Sequence, residues 1–161
     1  MATIHSVSGT ITDNRNVLPI GDIDGAIAYA DNSCVDSLIG NYTTRIGVSL
    51  APDQAVETLE PLLSELNLVV LNFPTFADGR AFSQAHLLRS RYGYAGDLRA
   101  TGEVVQDQLA FMLSCGFNQF ELPSVDESLD FVTALTDARQ FANFIAGTGI
   151  QGTGFERQVS T

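Results

Sequence analysis

Five residues have the types and spacing to hold a small anion: Asp78, Arg80, Arg99, Thr101 and Glu121. Arg80 and Arg99 offer planar, bidentate donors to a carboxylate or an oxyanion. Asp78 and Thr101 stand where helix N-caps are expected, and the free N–H groups of a helix start favour negative charge. Glu121 adds a carboxyl that can act as acid or base. Four of the eight arginines fall between positions 80 and 99, which concentrates positive charge in an otherwise acidic chain. A structural account stands beside this one. Asp78 and Thr101 are explained by capping alone, Arg80, Arg89 and Arg91 by a solvated helix face, and Arg99 and Glu121 by pairing across strands.

Other chemistries find little support. All eight basic residues are arginine, so a Schiff-base lysine, a Walker lysine and a lysine general base are excluded together. Cys34 and Cys115 form no close-spaced metal or CxxC motif, and with only His5 and His86 a zinc site would need distant ligands. His86 lies one position from an apolar helix stripe and reads as a structural histidine. Cys115 precedes a helix-ending glycine and reads as buried. Neither cysteine has an assignable base, which leaves nucleophilic catalysis without a mechanism. Gly147, Gly149 and Gly152 spell G-x-G-x-x-G, but that motif works only between a strand and a helix, with an acidic partner some twenty residues on. Nine residues follow Gly152, and 147–161 is read as a flexible tail. No cofactor is evident.

These residues need elements to position them. A chain of 161 residues, 45% apolar and 17% charged, has the makings of one globular domain with a sizeable core. Its formal charge of −11 repels phosphate backbones and anionic lipid, so nucleic acid and membrane surfaces are poor partners, whereas a basic protein is a suitable one. No 18-residue apolar run and no basic-then-apolar leader occur, and the cysteine usage suits a reduced, cytoplasmic setting.

From Leu68 to Leu122 the chain reads as a βαβαβ unit. Leu68 to Phe73 is an apolar run of the kind buried on both faces. A helix capped by Asp78 follows, with Phe82, Ala85, Leu88 and Tyr92 as its inner stripe and Gly93 as its stop. Asp97 to Thr101 is the next strand. Thr101 and Glu103 favour the start of a helix through Val105, Leu109 and Met112, ended by Gly116. Gln119 to Leu122 is a further strand, and Ser124 with Glu127 matches a capping box for a helix reaching about Phe141. Upstream, Arg45 to Leu50 is a strand, and a short helix starts near Pro61, where proline is tolerated. Such alternation predicts an α/β fold with a mainly parallel sheet and right-handed crossovers, either half-barrel-like or a small open sheet.

Residues 1–40 read as an N-terminal β extension that covers a sheet edge. A hairpin of Ile4–Thr12 and Val17–Ile20 turns at Asp13-Asn14, with a short helix in Ala26–Ile39. Residues 41–146 form the α/β domain. Ligands of parallel sheets bind beyond the carboxyl ends of the strands, which places the five candidates on one rim. Phe76 and Tyr94 fall in loops and suit a pocket lining or an interface.

The segments Phe73-Pro74, Asp78-Gly79-Arg80-Ala81, Arg91-Tyr92-Gly93, Arg99-Ala100-Thr101-Gly102, Cys115-Gly116-Phe117 and Phe120-Glu121-Leu122 together resemble the bacterial domain of unknown function 934 family. That resemblance covers about fifty residues closely and the preceding strand and helix loosely. It implies a link to assimilatory sulfite reduction, because members are commonly described as oxidoreductases of that pathway. It brings no catalytic residues. Three readings remain open: an accessory protein that binds sulfite reductase or a small oxyanion; an enzyme on a small anion, with Glu121 or Asp78 as acid/base and arginine clamps; and a structural module that pairs as a homodimer to cover an exposed edge.

Overall fold

The computed structural model describes residues 3–6, 9–11, 16–19, 46–64, 66–122 and 128–147. Leu68–Phe73 (β5) shows why this sequence makes a parallel sheet: five of its six side chains are buried, which requires cover on both faces and a neighbour on each edge. Its neighbours are Ile46–Leu50 (β4) and Asp97–Gly102 (β6), both parallel to it. Gln119–Leu122 (β7) lies parallel to β6. Thr3–Ser6 (β1) runs antiparallel to β7 and forms a hairpin with Gly9–Ile11 (β2), while Asn16–Pro19 (β3) runs parallel to β4.

The order across the sheet is β2-β1-β7-β6-β5-β4-β3. From β4 to β7 each strand advances one place in the same direction. Right-handed crossovers then put every connecting helix on the same face. Arg80–Ser90 (α1) packs on Leu109–Cys115 (α2), which packs on Ser128–Gly147 (α3). The core lies between this helix layer and one face of the sheet: Leu71, Phe73, Leu98 and Phe120 meet Leu88, Leu109, Met112 and Phe131 there. Each fully buried side chain of this size is worth roughly 1.5–3 kcal/mol. The strand progression is that of half a barrel. The order is linear, however, and the sheet is open among the described residues.

The expected α/β fold with its N-terminal strands is what forms, with local differences. The hairpin is tighter than expected: β1 and β2 pair within residues 3–11, and β3 crosses to the opposite edge of the sheet. Pro61 lies near the end of a 3-10 helix, Val56–Leu62, rather than at a helix start. Three residues per turn bring Val56 and Leu59 to the same buried side, and proline loses little where the helix is about to end.

Thr101 caps nothing. It stays in β6, and α2 begins only after an extended Val105 and a 3-10 turn, Gln106–Gln108. Gly116 stops α2 as expected, at a φ of 104° that a side chain rarely adopts. His86 is exposed rather than structural, whereas Cys115 is buried, which raises its thiol pKa. The expected 26–39 helix, the Ser124/Glu127 box, Cys34 and the tail from 148 lie outside the described residues.

Candidate functional site

Side chains alternate along a strand, so the register sorts the sheet into two faces. Val69, Leu71 and Phe73 of β5 face the helices. Leu68, Val70 and Asn72 therefore face the other way, and so do their partners Asp97, Arg99 and Thr101 on β6. Arg99 in turn pairs with Gln119 on β7, and Gln119 with Ser6 on β1. One row across the far face thus runs Val70, Arg99, Gln119, Ser6, and all four are buried. Gln119 Oε1 accepts from Arg99 Nε at 3.1 Å and Nη2 at 2.9 Å. Alternation returns Asn72, Thr101 and Glu121 to this face two residues nearer the carboxyl ends. Thr101 Oγ1 lies 3.5 Å from Asn72 Oδ1, and all three residues are half-buried.

Arg99, Thr101 and Glu121 therefore share one face of two adjacent strands. Asp78 and Arg80 belong elsewhere, at the start of α1 in the helix layer. Gly79 takes the N-cap position there, so the cap lies one residue later than expected. Asp78 nonetheless accepts the Arg80 N–H at 3.1 Å, and its carboxylate also grips the Arg80 side chain, Nη2 to Oδ2 at 2.6 Å. These hydrogen bonds hold the Asp78 pKa down to about 2 and raise that of Arg80. The anion-favouring start of α1 is thus already occupied by the chain's own carboxylate.

Two neighbours in this site, Asn72 and Gln119, escaped the sequence reading. Each is a single amide in a short strand, Asn72 in LVVLNF and Gln119 in QFEL. Arg89 differs from the expected solvated helix face: it is buried. Its guanidinium donates to Tyr94 O at 2.6 Å, Gly96 O at 2.7 Å and Gly116 O at 2.8 Å, and lies over the Tyr94 ring. Burial lowers its pKa to about 10, so it stays charged at neutral pH. Arg89 thereby ties the end of α2 to the loop before β6. That loop borders a cleft of about 700 Å³ at the amino ends of the strands. Glu60, Asn67, Arg91, Tyr92 and Tyr94 line it.

Among the described residues no group of three His, Cys, Asp or Glu is placed to hold a metal ion. No helix among them is long and apolar enough to cross a membrane.

Residues 47–147 match a family model described as "Bacterial protein of unknown function (DUF934)". The chain belongs to this family. No curated protein matches it. In this DUF934 member the segments that carry the resemblance fall at the two ends of the parallel strands. Phe73-Pro74, the Asp78 turn, Arg99 to Gly102 and Phe120 to Leu122 lie in the carboxyl half. Arg91-Tyr92-Gly93 and Cys115-Gly116-Phe117 lie at the amino ends, where Arg89 joins them.

Proposed function

We propose that this DUF934 member is a cytoplasmic accessory protein of assimilatory sulfite reduction that binds a small oxyanion on the far face of its sheet. The observation that carries the reading is Arg99. It is a guanidinium buried in an inner parallel strand, on the face away from the helices, with Asn72, Thr101 and Glu121 between it and the strand ends. A buried cation favours an anion more strongly than an exposed one, because less water screens it. The Asn72 amide N–H groups supply a neutral donor, its Oδ1 being held by the Thr101 hydroxyl, and Glu121 supplies an acceptor for an anion that keeps a proton. The sulfite link comes from the resemblance of the motif segments to a family so described.

The enzyme reading has less support. Arg80, expected as a second clamp, is bound to Asp78 at the start of α1.

Isothermal titration and thermal melts with sulfite, sulfate and phosphate test the binding. An anion bound at a hundred times its Kd stabilises the fold by about 2.7 kcal/mol. Arg99→Gln should remove that shift while the protein still melts cooperatively. Anions that leave the melting temperature of the wild type unchanged, together with normal sulfite reductase activity in a deletion strain, would rule the reading out.

A further inference from the structure

Phe76 and Phe111 are 57% and 56% exposed, and both sit at the corner where the β5–α1 loop meets the start of α2. Neither is displayed by a loose segment. The N–H of Phe76 donates to Glu103 Oε2 at 3.0 Å, and its carbonyl accepts from Gln108 Nε2 at 3.1 Å. Both polar groups of one loop residue are therefore fixed by side chains from the β6–α2 segment. Phe111 lies one turn beyond Gln108, with its ring 4.7 Å from that of Phe82. Phe82 in turn meets Phe73 at 4.9 Å, so an aromatic stack runs from the core to the surface at this corner.

A fixed, solvent-facing aromatic pair gives up burial in the free protein and needs little further ordering on contact. That is the economy of a binding hot spot. Charge narrows the partner. Glu103, which holds the Phe76 N–H, and Asp107, beside Gln108, leave the corner acidic, because its one described cation, Arg80, is neutralised by Asp78. The chain carries −11 and no lysine.

We infer that this corner is a docking surface for a protein segment that presents bulky apolar side chains flanked by lysine or arginine. The inference deepens the accessory reading, and naming the reductase as that protein rests on it; the surface itself rests on Phe76 and Phe111.

The intact chain is immobilised and screened with random displayed peptides, beside a Phe76→Ser/Phe111→Ser variant whose melting temperature confirms folding. Enriched peptides should pair bulky apolar residues with lysine or arginine. They should bind the variant at least tenfold more weakly and lose affinity as salt rises. Peptides without basic residues, peptides that bind both forms equally, or no enrichment at all overturn the surface. Self-association of the wild type that the variant loses assigns the corner to a second copy and overturns it too. Purified sulfite reductase forms the second arm. Equal binding of the reductase to both forms overturns the docking surface and leaves the accessory reading standing. Peptide binding without reductase binding does the reverse.

Discussion

Arg80 closes on Asp78, two residues before it, with Nε 3.0 Å from Oδ1 and Nη2 2.6 Å from Oδ2, while Oδ1 also takes the Arg80 N–H. The pair satisfies an orphan donor of α1 and neutralises the charge that would otherwise draw an anion there. A ligand at this helix start has to displace a carboxylate already in place.

The Asp78 pairing is measurable as a pH effect. Its carboxyl titrates at about 2 in the fold against 3.8 ordinarily. A depressed carboxylate pKa gives stability that is complete above the unfolded value and is lost as pH falls through the folded one. Asp78→Asn should therefore lower the melting temperature slightly at neutral pH, and the gap should close at about pH 2. The exposure of Arg80 keeps the effect small. A gap that persists in acid would mean that the carboxylate charge is not what stabilises the turn.

Arg89 should be far more costly to lose. Arg89→Met leaves three backbone carbonyls, those of Tyr94, Gly96 and Gly116, without their charged donor. At about 1 kcal/mol for each, the loss is on the order of 3 kcal/mol. Arg89→Lys should recover little of it, because one ammonium cannot span carbonyls that a planar fork reaches. Urea midpoints of the three proteins check this; a lysine variant as stable as wild type would refute the fork argument.

The parallel unit was legible because its signals are local. Leu68–Phe73 announces a strand buried on two faces, and Gly116 announces a helix stop. What escaped depends on distance. Nothing near Asn16 says that β3 pairs with β4 rather than with β1, since that choice is set by packing some thirty residues away. The site was legible as a set of residue types but not as a geometry. Strand alternation, properly applied, puts Arg99, Thr101 and Glu121 on one face with Gln119 and Asn72. The same rule has nothing to say of Arg80, whose direction is set by Asp78. Arg89 looked like one more exposed helix arginine, because its partners are carbonyls from two other segments, invisible to any periodicity.

Gly102 should tolerate no side chain. Its φ is +89°, and a Cβ there would stand 2.2 Å from the Phe73 carbonyl oxygen and 2.8 Å from Asn72 Oδ1. Gly102→Ala combines left-handed strain with a backbone clash and should cost about 2 kcal/mol or more. Gly79→Ala is the control, because its φ is −84° and nothing lies within 4 Å of the new atom. That change should stay within about 0.5 kcal/mol. Equal costs by denaturant titration would contradict the crowding at β6.

His5 should make the protein acid-sensitive before the carboxylates do. It is buried on β1 against the Phe131 ring at 5.5 Å, and burial lowers its pKa below 6.5. The unfolded chain then binds more protons, so stability is complete above pH 6.5 and falls as pH drops below it. His5→Phe keeps a ring against Phe131 and should flatten the melting profile between about pH 7 and 5. Parallel profiles for the two proteins would exclude His5 as the source.

Glu121 should decide which oxyanion the far face accepts. Arg99 supplies a buried positive charge two residues below it, and Thr101 and Asn72 supply neutral groups beside it. A carboxylate only accepts hydrogen bonds, so an anion without a proton meets repulsion at Glu121, whereas a protonated one donates to it. Hydrogensulfite and dihydrogen phosphate carry such a proton, and sulfate at the same pH does not. The wild type should thus prefer phosphate to sulfate near pH 6, and tighten on sulfite as sulfite becomes protonated. Glu121→Gln replaces the acceptor with an amide that can donate, and sulfate binding should then improve at least tenfold, about 1.4 kcal/mol. Phosphate binding should weaken in the same variant, because its proton loses a charged acceptor. Titration calorimetry of both anions against both proteins reads all four affinities. An unchanged sulfate-to-phosphate ratio would remove Glu121 from the site and leave Arg99 with the neutral donors alone.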